Sequence, residues 1–531
     1  MIAICLYGKG CVCGLAGGRT LRIREHPILS FPEREKVAFF FEGRALEGYE
    51  GEPIAAALHA AGIRLLRESP VMQRSRGFFC AVGSCSSCLM VVDGVPNVRV
   101  CVERVREGIR VERQVGKGEL PRQPRPRPIP PDRVGDDRPH ENPRPHSQQA
   151  RRQAGTLEPP LLEPQVMVIG AGPAGMAAAL AAADWGADVL LCDSFFELGG
   201  QLVKQTHKFF GSRGQYAGTR GVEIARLLGD RVRSHPDVHV LLETQVLGYY
   251  PDGVVTMECA ARGEASYLKA APQRLVVATG AQERPLVFPG NDLPGVYGAG
   301  AVQTLMNVYG VKPGRRAVMV GAGNIGLIIS YQLRQAGVEV AAVVEAAPTI
   351  GGYAVHASKI RRLGIPILTS HSVKEAHGSR ELEGVTVWKL DENQRGVEGT
   401  ERRFEADVLC LAVGLSPLAE LLWQAGCRMI YVPELGGHVP WRDEDQQTSV
   451  PGLYVAGDAS GVEEASSAML SGRIAGLAAA ASLGLGPDRA EADGRELIDQ
   501  ARAELEALRR GPPGDKIRRG LARLEEAARA C

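Results

Sequence analysis

No apolar run in this chain reaches the ~18 residues that a membrane-spanning helix needs. The longest, Ile474 to Leu485, is alanine-rich and suits a buried helix. Charge of one sign is also missing: 62 lysines and arginines stand against 61 aspartates and glutamates, a formal net charge of +1. No global field therefore favours nucleic acid or an anionic membrane. The N-terminus shows no basic segment followed by an apolar core, so a secretory signal is not expected. Aromatic residues are few, at 5%, whereas glycine is abundant, at 64 of 531 residues. That balance suits nucleotide-binding α/β domains, and the length implies three or more domains with ample core.

Twelve cysteines could mark a secreted, disulfide-stapled protein, but their arrangement argues for a reducing, cytoplasmic setting. Four of them, Cys80, Cys85, Cys88 and Cys101, read Cys-x4-Cys-x2-Cys, a gap, then Cys. Three thiolates on one tight loop and a fourth from a following strand can hold a [2Fe–2S] cluster, and this is the plant-type spacing. Gly83, Ser84, Ser86 and Ser87 keep the loop small, so backbone N–H groups can turn toward the sulfurs. A disulfide pair or a structural zinc would be the bland alternatives. A zinc ribbon, however, wants two Cys-x2-Cys knuckles, and this region has one. The remaining cysteines, Cys192, Cys259, Cys410, Cys427 and Cys531, are scattered. Cys5, Cys11 and Cys13 fall in residues 1–20, which match no element and read as a disordered extension.

Residues 21–114 read as one small β-rich domain. KVAFFFEG and RALEGYEG form a hairpin around Glu42-Gly43, Pro53 opens a helix at its first turn, and LMVVDG and NVRVCVERV follow the cysteine loop as a second strand pair. Residues 115–164 are rich in proline and arginine and cannot bury a core, so they read as a semi-extended linker. From Gln165 the pattern becomes strand, glycine turn, helix. VMVIGAGPAGMAAALAAADWGADVLLCD carries Gly170, Gly172 and Gly175, with Asp193 ending the second strand. In such a fingerprint the first glycine permits the turn, the second admits a pyrophosphate, the third lets helix and sheet pack, and the acid holds a ribose hydroxyl. AVMVGAGNIGLIISYQLRQAGVEVAAVVE repeats the arrangement with Gly321, Gly323, Gly326 and Glu345. Two complete copies point to two dinucleotides. Ala-Ala-Pro follows Glu345, with no arginine for a 2′-phosphate, which favours NAD over NADP. LVVATGAQERP, with Thr279 and Gly280, and VLCLAVGLSP read as further buried strands. LYVAGDAS ends a strand at Gly457-Asp458 before a long helix, where an acid can bind a ribityl hydroxyl. Residues 488–531 are helical and amphipathic, with a Gly-Pro-Pro break and an apolar stripe of Leu497, Ile498, Leu505 and Leu508.

From Gln165 to about Gly486 the order of these motifs resembles the pyridine nucleotide–disulfide oxidoreductase superfamily. The resemblance implies an α/β fold of two Rossmann-like domains, with the NAD domain (298–404) inserted between two parts of the FAD domain (165–297 and 405–487). It implies that Gly170, Gly172, Gly175 and Asp193 bind the ADP portion of FAD. Gly199, Gly200 and Gln201 would lie near its pyrophosphate or ring, with Thr279, Gly280, Gly457 and Asp458 completing the flavin site. Gly321, Gly323, Gly326 and Glu345 would bind NAD. The superfamily's flavin-facing cysteine pair is absent: QLVKQTHKFFGSR contains none, so dithiol exchange is not expected.

With the N-terminal ferredoxin-like [2Fe–2S] domain added, residues 21–486 resemble the redox, alpha-type subunit of bacterial amine and amino-acid dehydrogenases of the sarcosine oxidase, opine oxidase, proline dehydrogenase and hydrogen cyanide synthase type. RIREHPIL, YEGEPIAAALHAAG, the cysteine loop and GGQLVKQTHKFFGS carry that resemblance. It implies a hetero-oligomer in which a partner flavoprotein oxidises the C–N bond and this chain passes electrons onward to an acceptor. Cys531 stands alone, so a second cluster is not expected. His207 and Lys204 are the polar candidates nearest the flavin, and satisfied structural roles are an equal reading of both. A stand-alone NADH:acceptor reductase and a nucleotide-binding scaffold without turnover are the competing functional readings.

Overall fold

The computed structural model describes residues 20–31, 34–119, 159–209, 212–260, 266–487, 493–511 and 514–529. Residues 1–19, with Cys5, Cys11 and Cys13, the body of the Pro/Arg-rich segment, and Cys531 lie outside the described residues.

Along the chain the first domain contains β1 (Lys36–Phe41), β2 (Arg44–Tyr49), α1 (Ile54–Ala60), β3 (Leu89–Val92), β4 (Val95–Arg99) and β5 (Arg110–Arg113). The first dinucleotide unit contributes β6 (Val166–Ile169), α2 (Pro173–Ala183), β7 (Val189–Cys192), α3 (Gly221–Ser234), β8 (Val238–Leu241) and β9 (Arg274–Val277). The second contributes β10 (Val296–Gly298), α4 (Ala299–Asn307), β11 (Arg316–Val320), α5 (Asn324–Gln335), β12 (Glu339–Glu345), α6 (Ala354–Arg362), β13 (Ile367–Thr369) and β14 (Val408–Leu411). The chain then returns with β15 (Leu453–Val455) and α7 (Ala465–Ser482), and ends in α8 (Asp493–Leu508) and α9 (Asp515–Arg529).

In the first domain the sheet runs β2-β1-β5-β3-β4. Alternate residues of β1, Val37, Phe39 and Phe41, face the core, as the period of a half-buried strand requires. The hairpin turns at Glu42-Gly43 as expected. Two details differ from expectation. The second strand pair ends at Arg99, so Cys101 sits in the turn beyond it and not on a strand. Arg110–Arg113 adds an unforeseen strand that runs parallel to β1. Pro53 caps α1 from outside its first turn. Every residue of α1 is buried, because the helix lies between its own sheet and the second dinucleotide unit. Phe39, Leu58 and Phe78 share one apolar core with Tyr297, Val302 and Leu305. At this seam the His59 ring reaches the Ala55 carbonyl at 2.9 Å and the Tyr297 hydroxyl at 3.2 Å. Full burial holds His59 neutral, its pKa lowered to about 4.

The first dinucleotide sheet is parallel, in the order β8-β7-β6-β9-β15. Its central strands are apolar because both faces are covered, one by helices α2, α3 and α7 and the other by the antiparallel strands of residues 244–259 and 266–270. Gly472 and Gly476 let α7 press onto the carbonyls of Ala174 and Ala178, which brings α2 and α7 into close register. The second sheet runs β10-β14-β11-β12-β13, also parallel. Val296–Gly298 and Val408–Leu411 both lie in this sheet, whereas the expected boundaries fall at 297/298 and 404/405. The chain crosses between units where Ala281–Glu283 pairs antiparallel with Leu415–Pro417. Leu161–Leu162, inside the expected linker span 115–164, pairs with Lys269 and Ala270. Helix α8 docks by the expected stripe, Ile498 and Leu505 packing under α7, whereas α9 packs by Leu524 against Val432, Leu435 and Val439.

Candidate functional site

The four cysteines of the first domain converge. Cys80, Cys88 and Cys101 are buried and Cys85 is exposed. The thiol of Cys80 contacts those of Cys85 and Cys101, and Cys88 contacts Cys101. Ala81, Gly83 and Ser86 take left-handed conformations that curl the loop around the sulfurs. Backbone N–H groups of Val82 and Cys85 donate to the Cys80 sulfur, and that of Ser87 to the Cys85 sulfur. Arg67, which sequence reasoning passed over, clamps the loop from outside: it donates to the carbonyls of Ser87 and Ser86, each at 3.2 Å. No group of three or more His, Cys, Asp or Glu among the described residues is arranged to hold a single metal ion. The four thiols meet in pairs instead, with N–H donors and one guanidinium around them. That donor set fits a binuclear iron–sulfur cluster, whose charge such donors stabilise. All eight described cysteines are free thiols.

The two glycine fingerprints are close structural copies. Gly170 and Gly321 share φ +103°, and a Cβ there would sit 2.3 Å from the carbonyl oxygens of Ala278 and Ala412 respectively. A Cβ on Gly175 would lie 1.7 Å from the Gly170 oxygen, and one on Gly326 2.0 Å from the Gly321 oxygen. Gly172 and Gly323 cap α2 and α5 and face open space. Each acid closes its own turn: Asp193 accepts the Ala171 N–H at 2.6 Å and Glu345 accepts the Ala322 N–H at 2.6 Å. Burial raises the Asp193 pKa. Glu345 also accepts the Ala347 N–H at 2.9 Å, and no arginine approaches from the Ala-Ala-Pro turn.

The copies extend to a double glycine. Gly199 donates to the Ala171 carbonyl and Gly352 to the Ala322 carbonyl, both at 2.9 Å. Gly200 presses against Gly172. The Gly351-Gly352 pair was missed, although TIGGYA echoes ELGGQL in position after the acid. Gln201 is exposed at the start of the short 3-10 turn Gly200–Lys204. At the far end of the cradle Gly457 abuts Ala174 on α2, and Asp458 is half-buried. Its carboxylate accepts the Glu463 N–H at 3.2 Å, and burial pushes its pKa up to about 7. Thr279 ties the crossing to the other side, its hydroxyl donating to the Leu418 carbonyl at 2.7 Å beside Gly280.

Lys204 and His207 part company. Lys204 is buried, and its ammonium donates to the Gly300 carbonyl at 3.1 Å and the Thr304 hydroxyl at 3.2 Å on α4. Burial lowers its pKa to about 8, against the pull of Glu283. Glu283, also missed, accepts the Gly300 N–H from the other side, and burial raises its pKa to about 7. The cysteine loop reaches the same point: the Phe79 carbonyl accepts the Gly298 N–H at 3.0 Å. The start of α4 therefore joins the cysteine loop, the first dinucleotide unit through Lys204, and the crossing strand through Glu283. His207 instead lines a separate cavity on the flank of α5. Among the described residues no cysteine pair faces the first cradle. Cys192 is buried within β7, where desolvation raises its pKa.

These features define the class: an oxidoreductase with two dinucleotide-binding units and a cysteine-rich electron-transfer domain. Residues 164–472 match the pyridine nucleotide-disulphide oxidoreductase family, and residues 34–116 match the 2Fe-2S iron-sulfur cluster binding domain. The chain belongs to the pyridine nucleotide-disulphide oxidoreductase family. It is 30% identical over 516 residues to the sarcosine oxidase subunit alpha of Rhizobium meliloti, covering 87% of this chain and 46% of that protein. It is 30% identical over 390 residues to hydrogen cyanide synthase subunit HcnB of Pseudomonas aeruginosa, covering 68% of this chain and 80% of that one. The chain thus spans about half the length of its sarcosine oxidase relatives. Among solved structures, the L-proline dehydrogenase from P. horikoshii superposes with a TM-score of 0.62 at 23% identity, covering 90% of this chain and 79% of that one, which shows a shared fold. No helix among the described residues is long and apolar enough to cross a membrane.

Proposed function

We propose that this chain is the electron-transfer subunit of a complex that oxidises an amine or amino acid, with FAD in the first cradle, NAD in the second and a [2Fe–2S] cluster on Cys80, Cys85, Cys88 and Cys101. A flavin can exchange one or two electrons, NAD a hydride and the cluster one electron, so together they convert hydride pairs into single electrons. The observation that carries the reading is the junction at α4, where the cysteine loop, Lys204 and Glu283 meet.

In this reading Gly170, Gly172 and Gly175 admit the FAD pyrophosphate to the start of α2, and Asp193 orients the ribose. Gly199, Gly200, Thr279, Gly280 and Gly457 leave room for the flavin half, and Asp458 holds the ribityl chain. Gly321, Gly323, Gly326 and Glu345 do the same for NAD, and the absence of an arginine after Glu345 selects against a 2′-phosphate. Lys204 fixes the flavin-side turn to α4 and keeps the distance to the cysteine loop constant. Cys85, the exposed cysteine, shares its loop with the exposed Val82, and the exposed Val102 packs on that loop at Gly83. That edge suits a protein that delivers or removes single electrons. C–N oxidation falls to a partner flavoprotein subunit, since the described cradles present no free acid–base pair for it. The free thiols accord with a reducing compartment, the cytoplasm.

The test is an anaerobic NADH titration of the purified chain followed by its visible spectrum. Bleaching of both flavin and iron–sulfur absorption is expected. Absorption that ignores NADH but bleaches when a partner subunit and its amine substrate are added would place electron entry at the partner alone. A protein without either chromophore would sink the reading.

A further inference from the structure

A cavity of about 480 Å³ lies outside both dinucleotide cradles. It opens between Thr206, His207, Lys208 and Arg220 of the first unit and the flanks of α5 and α6 in the second. None of the fingerprint glycines lines it. One wall is apolar, formed by Leu327, Ile328 and the Tyr331 ring of α5 with Ile28 from the N-terminal segment. The opposite lining is basic: His207, Lys208, Arg220, His356 and Lys359. No aspartate or glutamate appears among the described lining residues.

The basic groups come from separate elements and are held by unrelated contacts. His207 stacks on Phe209 with ring centres 5.4 Å apart, and His356 stands edge-on to it at 6.4 Å. The Lys359 ammonium lies 5.6 Å from the centre of the Tyr331 ring. Arg220 is anchored by the Thr206 carbonyl. Burial first, then the charges of His356, Lys359 and Arg220, lower the His207 pKa to about 4. The His207 Nδ1 atom and the Gln335 Oε1 atom are buried here without a hydrogen-bond partner. A pocket that gathers like charges against an apolar wall, with polar atoms left to satisfy, is complementary to an anion with a flat or apolar body.

We propose that this cavity is a third ligand site, distinct from both dinucleotide cradles, which binds a small organic phosphate. Lys208, Arg220 and Lys359 hold the phosphate oxygens, and the His207 ring donates a further hydrogen bond from its protonated nitrogen. The organic part lies against Leu327, Ile328 and Tyr331. Because α5 belongs to one unit and His207, Lys208 and Arg220 to the other, occupancy also ties the two units together at this seam.

Phenyl phosphate is the probe, with phenol and inorganic phosphate as its two halves. The full chain, with its cluster intact and saturated with FAD and NAD+, is titrated calorimetrically with each. Phenyl phosphate is expected to bind more tightly than either half, with an affinity that falls as salt rises. Lys359→Met and Lys208→Met should each weaken it by about tenfold, the loss expected for one charge-assisted contact. Both variants should retain FAD, NAD+ and the iron–sulfur spectrum, which separates loss of the site from loss of the fold. Three results would each overturn the proposal: no binding of phenyl phosphate, equal binding by both variants, or binding that disappears once NAD+ is saturating.

Discussion

Gly172 and Gly175 sit three residues apart in one turn, yet alanine at the two positions should do opposite things. Gly172 caps α2 at φ −73°, a conformation open to any residue, and a Cβ there meets nothing within 4 Å. Its methyl would project into the cradle assigned to the FAD pyrophosphate. The cost to the fold is that of a weaker N-cap, at most ~1 kcal/mol. A Cβ on Gly175 would stand 1.7 Å from the Gly170 oxygen, so the helix must retreat by about 2 Å to reach an ordinary contact. That retreat also pulls α2 from α7, where Gly472 and Gly476 touch its carbonyls. Overpacking of this kind costs ~1–3 kcal/mol or more. For domains of this size each kcal/mol moves the melting temperature by about 2–4 °C. Gly172→Ala should therefore melt within a few degrees of the unaltered apoprotein but lose at least about tenfold in FAD affinity, or 1.4 kcal/mol. Gly175→Ala should melt lower by roughly 4–8 °C and lose FAD as well. Thermal melts of the flavin-free forms and equilibrium titration with FAD read the two effects separately. Full FAD affinity in Gly172→Ala would refute the placement of the pyrophosphate. An unchanged melt in Gly175→Ala would refute the packing argument.

Three further outcomes follow from the same geometry. Burial raises Asp458 from an ordinary 3.8 to about 7, so its contribution to apoprotein stability is fully present below the ordinary value and is lost as pH rises through about 7. The total is roughly 4 kcal/mol; Asp458→Asn should flatten the fall in melting temperature between about pH 4 and pH 7, and an unchanged slope would count against it. Arg509 on the loop after α8 pairs with Glu463 at 2.6 Å, both side chains being 10% exposed. Arg509→Met removes the hydrogen-bonded partner of the Glu463 carboxylate, leaving Arg442 as the buried charge facing it, and should cost about 3 kcal/mol in a denaturant melt; a change under about 1 kcal/mol would show that Arg442 alone balances the carboxylate. Cys101→Ser removes one of the four converging thiols, and the iron content and paramagnetic signal of the reduced protein should collapse while FAD remains bound. Retention of a normal cluster signal would show that Cys101 is not a ligand.

The chemistry-bearing turns of this protein were legible because each is encoded within a few residues. A Gly-x-Gly-x-x-Gly turn and its acid form one strand–helix–strand unit, and the structure shows Asp193 and Glu345 closing their own turns by the same hydrogen bond. The first three cysteines likewise sit on one loop, and the amphipathic stripe of α8 carries its own packing face. Local spacing sets these features before any long-range contact forms. What it could not set is which sheet an apolar strand joins. Val408–Leu411 and Val296–Gly298 are buried on both faces and carry no directional signal, so only pairing with β11 and with each other assigned them to the inserted unit. Tertiary structure also decided the company of the charged residues. Lys204, Glu283 and Phe79 meet at α4, and His207, His356 and Lys359 meet at one cavity, from segments far apart in the chain. Burial makes those groups consequential, and burial is a property of the packed molecule, not of the neighbours a residue has in sequence.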